Sequence, residues 1–479
     1  MISELKPYPN YKNSGLPWLG KMPVQWSLKR GKSILERIDK RSTTGGEELL
    51  TVSSAKGVVP RRNATVTMFK AKTYRGYKLC WPGDLAINSL WAWGGGLGVS
   101  RYHGIISTAY GVYRVRSTAP IIPPFVHEFV RSSPFNWELH VRSKGIWISR
   151  LQLTDGAFLD APFVLPPPDE QAAIVRFLDH ANGKIERAIR AKRKLVALLN
   201  EQKQAIIHRA VTRGLDPAVK LKPSGIPWLG DVPEHWQVRR FKTLVCRIDQ
   251  GVSPLAEGFL ADGTSWGVLK AGCVNHGVFR ETEHKRLAKG FEIDPAIIVW
   301  AGDVLISRAC GSPKLVGSVG RVPSLSYRLI LSDKTFRPIF HQFVDVDFAV
   351  YAMNSRYYRD QVEQAISGAE GLANNLPISS LRSFTFALPP AAEARRIAVQ
   401  LQEILHQSNT SITRIEREIA LLREYRTTLT ADVVTGKLDV RAAVKHLPAE
   451  SDDGRPPTWE EEEQDTAETA VPQEEETDE

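Results

Sequence analysis

Basic side chains are concentrated in two stretches of the chain, and the first stretch also contains the aromatic residues Phe69, Tyr74 and Tyr77. Arginine and lysine neutralise phosphates and pair with guanine edges, so these stretches favour nucleic-acid binding. Taken singly, each residue is more often a solvated surface charge, and only the combination with the other features below favours DNA. The candidate DNA-binding residues are Arg61, Arg62, Lys70, Lys72 and Arg75, with Lys78 beside them, and Lys285, Arg286, Arg308, Lys314 and Lys334.

The motifs that could support catalysis are incomplete. Gly31-Lys32-Ser33 lacks the first glycine of a phosphate-binding loop, because Trp26 stands at that position. The glycine-rich run at 93–98 could approach a phosphate through its backbone amides, although a turn between strands is the ordinary explanation. Ile122-Pro123-Pro124-Phe125 lacks the polar first residue of the N-methyltransferase motif. The cysteines and histidines show no metal-ligand spacing, so we predict no catalytic residue, no metal and no bound cofactor.

Charge divides the chain into a basic part and an acidic end. The 479 residues carry a net charge of +10, and residues 449–479 contain 14 Asp or Glu and one basic residue, Arg455. The first 448 residues therefore carry +23, which favours a polyanion-binding surface. The acidic end is too poor in apolar residues to fold, and we interpret it as a solvated terminus. A DNA-mimicking, autoinhibitory tail is the alternative.

Three motifs occur twice in the same order, which indicates a tandem duplication of a unit of about 210 residues. This period is too long for a solenoid, so each unit is expected to be a domain with an appendage. The pairs are 14–26 with 224–236, Trp81–Asp84 with Trp300–Asp303, and Leu165–Pro167 with Leu388–Pro390.

Each unit changes character after its Leu-Pro-Pro motif. Before it, short β-rich runs alternate with Gly, Pro, Asn and Asp, which is typical of a mixed sheet domain. After it, residues 169–212 and 392–435 lack proline and align without a gap over 44 residues each, which predicts two helices of about 65 Å. Each helix has a narrow apolar seam, which predicts that it packs against another helix. The seam positions are Ile174, Leu178, Ala181, Ile185, Ala188, Leu195, Leu199 and Ile206, interrupted by Lys192 and Gln202, and Ile397, Leu401, Ile404, Ile415, Leu422, Tyr425 and Leu429, interrupted by Ser408, Ser411 and Glu418.

We therefore predict an α+β fold: a duplicated mixed α/β domain plus a long helix, the two helices pairing as an antiparallel coiled coil. The predicted boundaries are a first domain at 1–168, a first long helix at 169–213, a second domain at 214–390, a second long helix at 391–440 and an acidic disordered tail at 441–479. No apolar run is long enough to cross a membrane and no signal peptide is evident, so a cytoplasmic protein without a membrane partner is expected.

The duplicated motifs, from the Ser-Gly-x-Pro-Trp-Leu-Gly opening to the Leu-Pro-Pro-x-x-Glu helix start and the Val-Thr-Gly-like helix end, resemble the specificity subunits of type I restriction-modification systems. The resemblance covers about residues 10–440. It departs from the family at Ala394, where glutamine is usual, and at Arg213, which separates Thr212 from Gly214.

The resemblance implies that residues 20–162 and 236–387 are target recognition domains, each reading one half of a bipartite, asymmetric site in double-stranded DNA. It also implies that the long helices separate these domains and dock two methyltransferase subunits, with restriction or translocase subunits as further partners. S-adenosylmethionine is then expected on the methyltransferase, and this chain is expected to be non-catalytic. A free-standing DNA-modifying enzyme and a coiled-coil scaffold without sequence-specific DNA recognition are the alternatives.

Overall fold

The computed structural model describes residues 5–63, 73–145, 151–366 and 374–448. The candidate residues Lys70 and Lys72 and the acidic segment 449–479 lie outside these ranges. The chain forms two compact units. The first combines the residues up to Arg193 with those from Glu416 onwards, and the second is Lys194–Ile415.

The first unit contains the first β-rich domain. Its elements, in chain order, are β1 (Tyr11–Asn13), β2 (Lys21–Pro23), β3 (Ser27–Arg30), α1 (Gly31–Ile34), β4 (Leu35–Arg37), β5 (Leu50–Ser53), β6 (Gly57–Pro60), β7 (Lys78–Cys80), β8 (Leu85–Asn88), β9 (Leu97–Val99), β10 (Gly104–Ile106), β11 (Tyr110–Val115), α2 (Pro123–Val130), α3 (Ser133–Arg142), α4 (Asp155–Leu159) and β12 (Pro162–Leu165).

The long helix α5 (Pro168–Arg213) leads into the second domain. The remaining elements are β13 (Leu221–Pro223), β14 (Asp231–Pro233), β15 (Gln237–Arg240), β16 (Val245–Gln250), β17 (Ala256–Glu257), β18 (Trp266–Leu269), β19 (His284–Leu287), β20 (Val304–Ser307), β21 (Ala309–Cys310), β22 (Val319–Arg321), β23 (Arg328–Ile330), β24 (Thr335–Phe340), α6 (Val346–Ala352), α7 (Arg356–Ala365), β25 (Asn374–Asn375), α8 (Ile378–Ser383), β26 (Thr385–Leu388), α9 (Ala391–Val434) and α10 (Arg441–Val444).

Both domains have the same framework. The central antiparallel sheet has the order β4-β11-β8-β9 in the first domain and β16-β24-β20-β22 in the second. Strand β3 pairs with β12, and β15 pairs with β26 in the same way. The strand pairs β1-β2 and β13-β14 also correspond. The predicted α+β fold with a duplicated domain is therefore confirmed.

The repeated Trp-x-Gly-Asp motif forms the same turn in each domain. The Asp84 carboxylate accepts the backbone N–H of Trp81 at 2.9 Å, and Arg114 donates to it at 2.7 Å. In the second domain Asp303 accepts the N–H of Trp300 at 2.9 Å and a guanidinium N–H of Arg337 at 3.0 Å. Polar groups that lose contact with water need such hydrogen-bond partners. The motif therefore fixes the same turn in both domains.

The other repeated motifs meet where each domain joins a long helix. The indole N–H of Trp26 donates to Glu170, in the first turn of α5, at 2.7 Å, and that of Trp236 donates to Glu393, in the first turn of α9, at 3.2 Å. Both tryptophan side chains are fully buried. The Ser-Gly-x-Pro-Trp and Leu-Pro-Pro-x-x-Glu motifs are therefore two parts of one junction.

The long helices pair antiparallel within each unit. In the first unit Glu186 pairs with Arg426, and Lys192 pairs with Glu418 at 2.5 Å, so the partner number falls as the α5 number rises. Lys192 and Glu418, which interrupt the two predicted seams, are thus each other's partners. In the second unit Lys203 hydrogen-bonds Asn409.

The seam prediction includes too many residues. Leu195 is 46% exposed and Tyr425 is 40% exposed, although both belong to the predicted apolar ladder. With one helical partner, only a narrow stripe of each helix is covered, and apolar residues beside that stripe stay in contact with solvent.

Order extends further along the C-terminal region than the predicted boundary at 441. Residues 441–444 form α10, and Leu447 is buried. Leu438, Ala443 and Val444 pack against the core of the first unit, which gives this segment the apolar anchors that the acidic composition downstream lacks.

Candidate nucleic-acid interface

Arg308 and Lys334 meet at one end of the central sheet of the second domain. Strands β20 and β24 pair there, and the Arg308 backbone N–H donates to the Lys334 carbonyl at 2.8 Å. The Arg308 guanidinium donates to the Asp333 carbonyl at 2.9 Å and lies 5.9 Å from the Phe336 ring centre. Lys334 is exposed and pairs with the Asp333 carboxylate at 2.5 Å. We call these residues, 308 and 333–334, the Arg308 corner.

A single backbone segment connects this corner to β19. Val252 accepts the N–H of Asp333 at 3.0 Å, and a few residues later Phe259 accepts the N–H of Arg286 at 2.8 Å. Lys285 is exposed on β19, and Arg286 pairs with Glu257. The structure therefore groups four of the five candidates in this domain along one segment, 250–260.

Lys314 lies apart from that group. It sits in a turn beside α7, where its backbone carbonyl accepts from Arg359 at 3.3 Å. Its own side chain is exposed. Lys314 and Lys285 make no ion pair within the ranges that the structure describes, so their charges are available to an incoming polyanion.

In the first domain the candidates flank residues 42–48. Arg62 is exposed and pairs with Glu48 at 3.1 Å, and Arg61 lies in the same turn, where its N–H donates to the Leu49 carbonyl at 2.8 Å. Arg75 is exposed in the turn before β7. The backbone of this turn, at Tyr74 and Arg75, packs against Gly45.

Lys78, which the sequence places beside these residues, does not belong to the surface. Its side chain is buried, and its ammonium donates to the Tyr110 carbonyl at 2.5 Å. Burial lowers the pKa of Lys78. It holds two strands together and is not available for phosphate.

The glycine-rich run forms a closed turn. The N–H groups of Gly94 and Gly96 donate to the Trp91 carbonyl at 3.1 and 2.9 Å, and that of Gly95 donates to Ala92 at 3.0 Å. A Cβ at Gly94 would lie 2.8 Å from the Trp91 ring nitrogen, so glycine is required for packing there. The amides are occupied within the turn, and the possible phosphate cradle is excluded.

Exposed apolar side chains are a surface feature that sequence reasoning missed. Trp91 and Trp137 are 45% and 51% exposed in the first domain, and Phe259 is 69% exposed in the second, with Arg286 5.9 Å from its ring centre. Apolar wedges of this kind can insert between base steps. The sequence offers no signal for them, because an aromatic residue is normally buried and exposure depends on the fold.

The combination of exposed cations, aromatic rings and strand ends suits contact with a nucleic-acid backbone and bases. Within residues 5–63, 73–145, 151–366 and 374–448 there is no cluster of side chains able to hold a metal ion. Nor does any helix of this described part have the length and apolarity required to span a membrane.

Comparison with known proteins gives relatives but no matching family model. The type I restriction enzyme EcoEI specificity subunit of Escherichia coli is 30% identical over 177 residues, which cover 36% of this chain and 29% of that protein. The type I restriction enzyme StySPI specificity subunit of Salmonella potsdam is 22% identical over 227 residues, 45% of this chain and 46% of that protein. In these matches the chain spans less than half the length of the relatives.

A solved chain from work on complex assembly and conformational transition of the type I R-M system shares the fold. It covers 87% of this chain and 99% of its own length, with a TM-score of 0.62 at 18% identity. In sequence this chain is similar to the specificity subunits of type I restriction enzymes over part of their length, and it has the fold of the solved chain.

Proposed function

We propose that the chain is the DNA sequence-recognition subunit of a type I restriction-modification complex. The main support for this proposal is that the two domains share one framework of strands but carry different insertions. The first domain adds the hairpin β5-β6 and the pair β7-β10, whereas the second adds the sheet β17-β19-β18-β23. Two different readers would recognise a bipartite, asymmetric site.

The proposed reading surface of the second domain is the Arg308 corner together with β19. Its cations would position the phosphate backbone, and Phe259 and Arg286 would contact bases. In the first domain Arg61, Arg62 and Arg75 would serve the same purpose.

The long helices are the proposed docking platform for two methyltransferase subunits, with restriction subunits as further partners. Leu421 and Tyr425 are 55% and 40% exposed one helical turn apart on α9, which leaves an apolar strip for a partner. S-adenosylmethionine would be bound by the methyltransferase. This chain would contribute no catalytic group, since its candidate catalytic motifs are incomplete.

Reconstitution tests the proposal. The chain and an adenine methyltransferase subunit, each alone and together, are incubated with genomic DNA and S-adenosylmethionine, and methylated adenines are mapped. We expect methylation at one bipartite site with both proteins and none with either alone. Methyl transfer by this chain alone would support the free-standing enzyme instead, and sequence-independent methylation would support the scaffold.

Substitution then assigns the surface. Replacing Lys285 and Arg308 with alanine should weaken DNA binding and flatten its salt dependence, in which log K falls by about 0.9 per phosphate contact against log salt. Lys242→Ala is the matched control, because Lys242 is exposed near the framework strand β15 of the same domain. Equal DNA affinities for the unsubstituted chain, the variant with both Lys285 and Arg308 replaced, and Lys242→Ala would show that this surface does not bind DNA.

A further inference from the structure

The last described segment of the chain runs along α5 in the direction of that helix. Arg441 lies 3.5 Å from Glu170 near the start of α5. Six residues further along α5, Arg176 donates to the carbonyl of Leu447 at 3.5 Å and to that of Pro448 at 2.9 Å. Residues 441–448 therefore run alongside α5 from Glu170 to Arg176, and the chain after Pro448 is directed towards the middle of that helix.

The face of α5 ahead of Pro448 is basic. His180, Lys184 and Arg187 follow Arg176 at spacings of four, four and three residues, which places them on one side of the helix. Lys184 and Arg187 are exposed and make no ion pair in the part of the chain that the structure describes. Burial, and then the charges of Lys184, Arg187 and Arg176, lower the pKa of His180, so these cations surround the ring. We call these four residues the α5 basic face.

The sequence that follows Pro448 has the opposite charge. Glu450, Asp452 and Asp453 come first, and Glu460–Glu463 follow after a short gap. Lys184 lies about 12 Å beyond Arg176 at the helical rise of about 1.5 Å per residue. Five residues of extended chain reach at most about 18 Å, so Asp453 can reach Lys184 without any rearrangement of the described residues.

We propose that residues 450–463 bind the α5 basic face and keep it from other polyanions. This contact is independent of the proposed DNA-recognition function, since it involves no residue of the candidate DNA-binding surface. It gives the acidic segment a specific position within the first unit, in place of a freely solvated one.

Cross-linking of the full chain tests the contact. A carbodiimide joins a lysine amine to a carboxylate in direct contact, and the linked peptides are identified by mass spectrometry. At low salt we expect Lys184 to be linked to carboxylates of 450–463, with a yield that falls several-fold near 1 M salt, where the screening length is about 3 Å. Exposed Lys220 and Lys289 of the second unit are internal controls. Equal linkage of the acidic segment to all three lysines would overturn the proposal.

Two variants of equal net charge test whether the location of the carboxylates matters or only the total charge of the acidic segment. One neutralises the seven proximal carboxylates as Asn or Gln (Glu450, Asp452, Asp453 and Glu460–Glu463), and the other neutralises the seven distal ones (Asp465, Glu468, Glu474, Glu475, Glu476, Asp478 and Glu479). Only the proximal variant should lose the Lys184 cross-link, and it should bind heparin about threefold more tightly than the distal variant, as exposure of one or two further cations predicts. Equal heparin affinity and equal cross-linking would show that only total charge matters.

Discussion

The two domain-to-helix junctions are built from the same motifs, but the first is more strongly bonded than the second. Glu170 accepts hydrogen bonds from Trp26, from Tyr8 at 3.1 Å and from Gln25 at 3.0 Å, and Arg441 lies beside it. Burial, followed by the charge of Glu170, raises the pKa of Tyr8.

At the second junction Glu393 has fewer partners. It accepts from Trp236 and lies 2.7 Å from His235. The difference arises because the first junction also joins the two ends of the described chain, where the Asp439 N–H donates to the Lys6 carbonyl at 2.8 Å. In the second unit the chain passes from helix to domain without a break. At the first junction, therefore, hydrogen bonds and an ion pair hold the helix end and the domain together. At the second junction the continuous backbone connects them.

The glycines that end the two long helices give the largest expected difference. Both have positive φ, where alanine costs about 1–2 kcal/mol. A Cβ at Gly436 would also lie 2.5 Å from Pro23 and 2.9 Å from Trp26, whereas one at Gly214 would lie 3.4 Å from Trp236. We expect Gly436→Ala to cost about 3–4 kcal/mol and Gly214→Ala about 1–2, since overpacking adds to the first alone. Urea unfolding measures both, and equal losses would contradict the junction geometry.

The junction glutamates give the next largest effect. Glu170→Gln should lower the free energy of unfolding by about 2–3 kcal/mol, because hydrogen bonds to a charged group contribute about 1.5–3 kcal/mol and several are weakened together. Glu393→Gln, with fewer bonds, should cost about 1 kcal/mol. The two variants serve as each other's control in denaturant unfolding. A larger loss for Glu393→Gln would reverse the comparison.

Glu128 on α2 distinguishes the first domain by its pH response. Burial, and then the charge of Asp179, raise the pKa of Glu128 to about 7, whereas the corresponding position 223 residues later is Tyr351. The folded protein keeps a proton that the unfolded chain loses near pH 4.5, so stability from this group is present in acid and is lost as pH rises through 7. We expect Glu128→Gln to stabilise by about 1–2 kcal/mol at pH 8 and by little at pH 4.

Thermal unfolding at both pH values measures this effect. Tyr351→Phe is the matched control in the second domain, and its effect should not change between pH 4 and 8, because burial raises the pKa of Tyr351 above its ordinary value of 10. A stabilisation by Glu128→Gln that is independent of pH would show that packing, and not charge, is responsible.

The interhelical pairs give the smallest effect. A double-mutant cycle on Lys192 and Glu418 should return a coupling of about 0.5 kcal/mol, since both side chains are partly exposed. The corresponding cycle on Lys203 and Asn409, a charged and a neutral partner, should return less and should not change with salt. Coupling that is equal in the two units would show that charge does not contribute to helix pairing.

Several features could be predicted from the sequence. The helix bounds at 169–212 and 392–435 lie within one residue of those observed, because the absence of proline and the apolar period are local properties. The shared sheet framework follows from motifs that recur in order. The candidate cations were identified by type, but whether each was free, paired or buried, as Lys78 is, could not be read from the chain.

The duplication, the alternation of β-rich and helical segments and the distribution of charge can all be read from the order of the residues alone. The contacts of Trp26 with Glu170 and of Lys192 with Glu418, and the exposure of Phe259, appear only in the folded chain. The physical reason is that periodicity and composition act over neighbouring residues, whereas these contacts join positions 144 and 226 residues apart and depend on the complete path of the backbone.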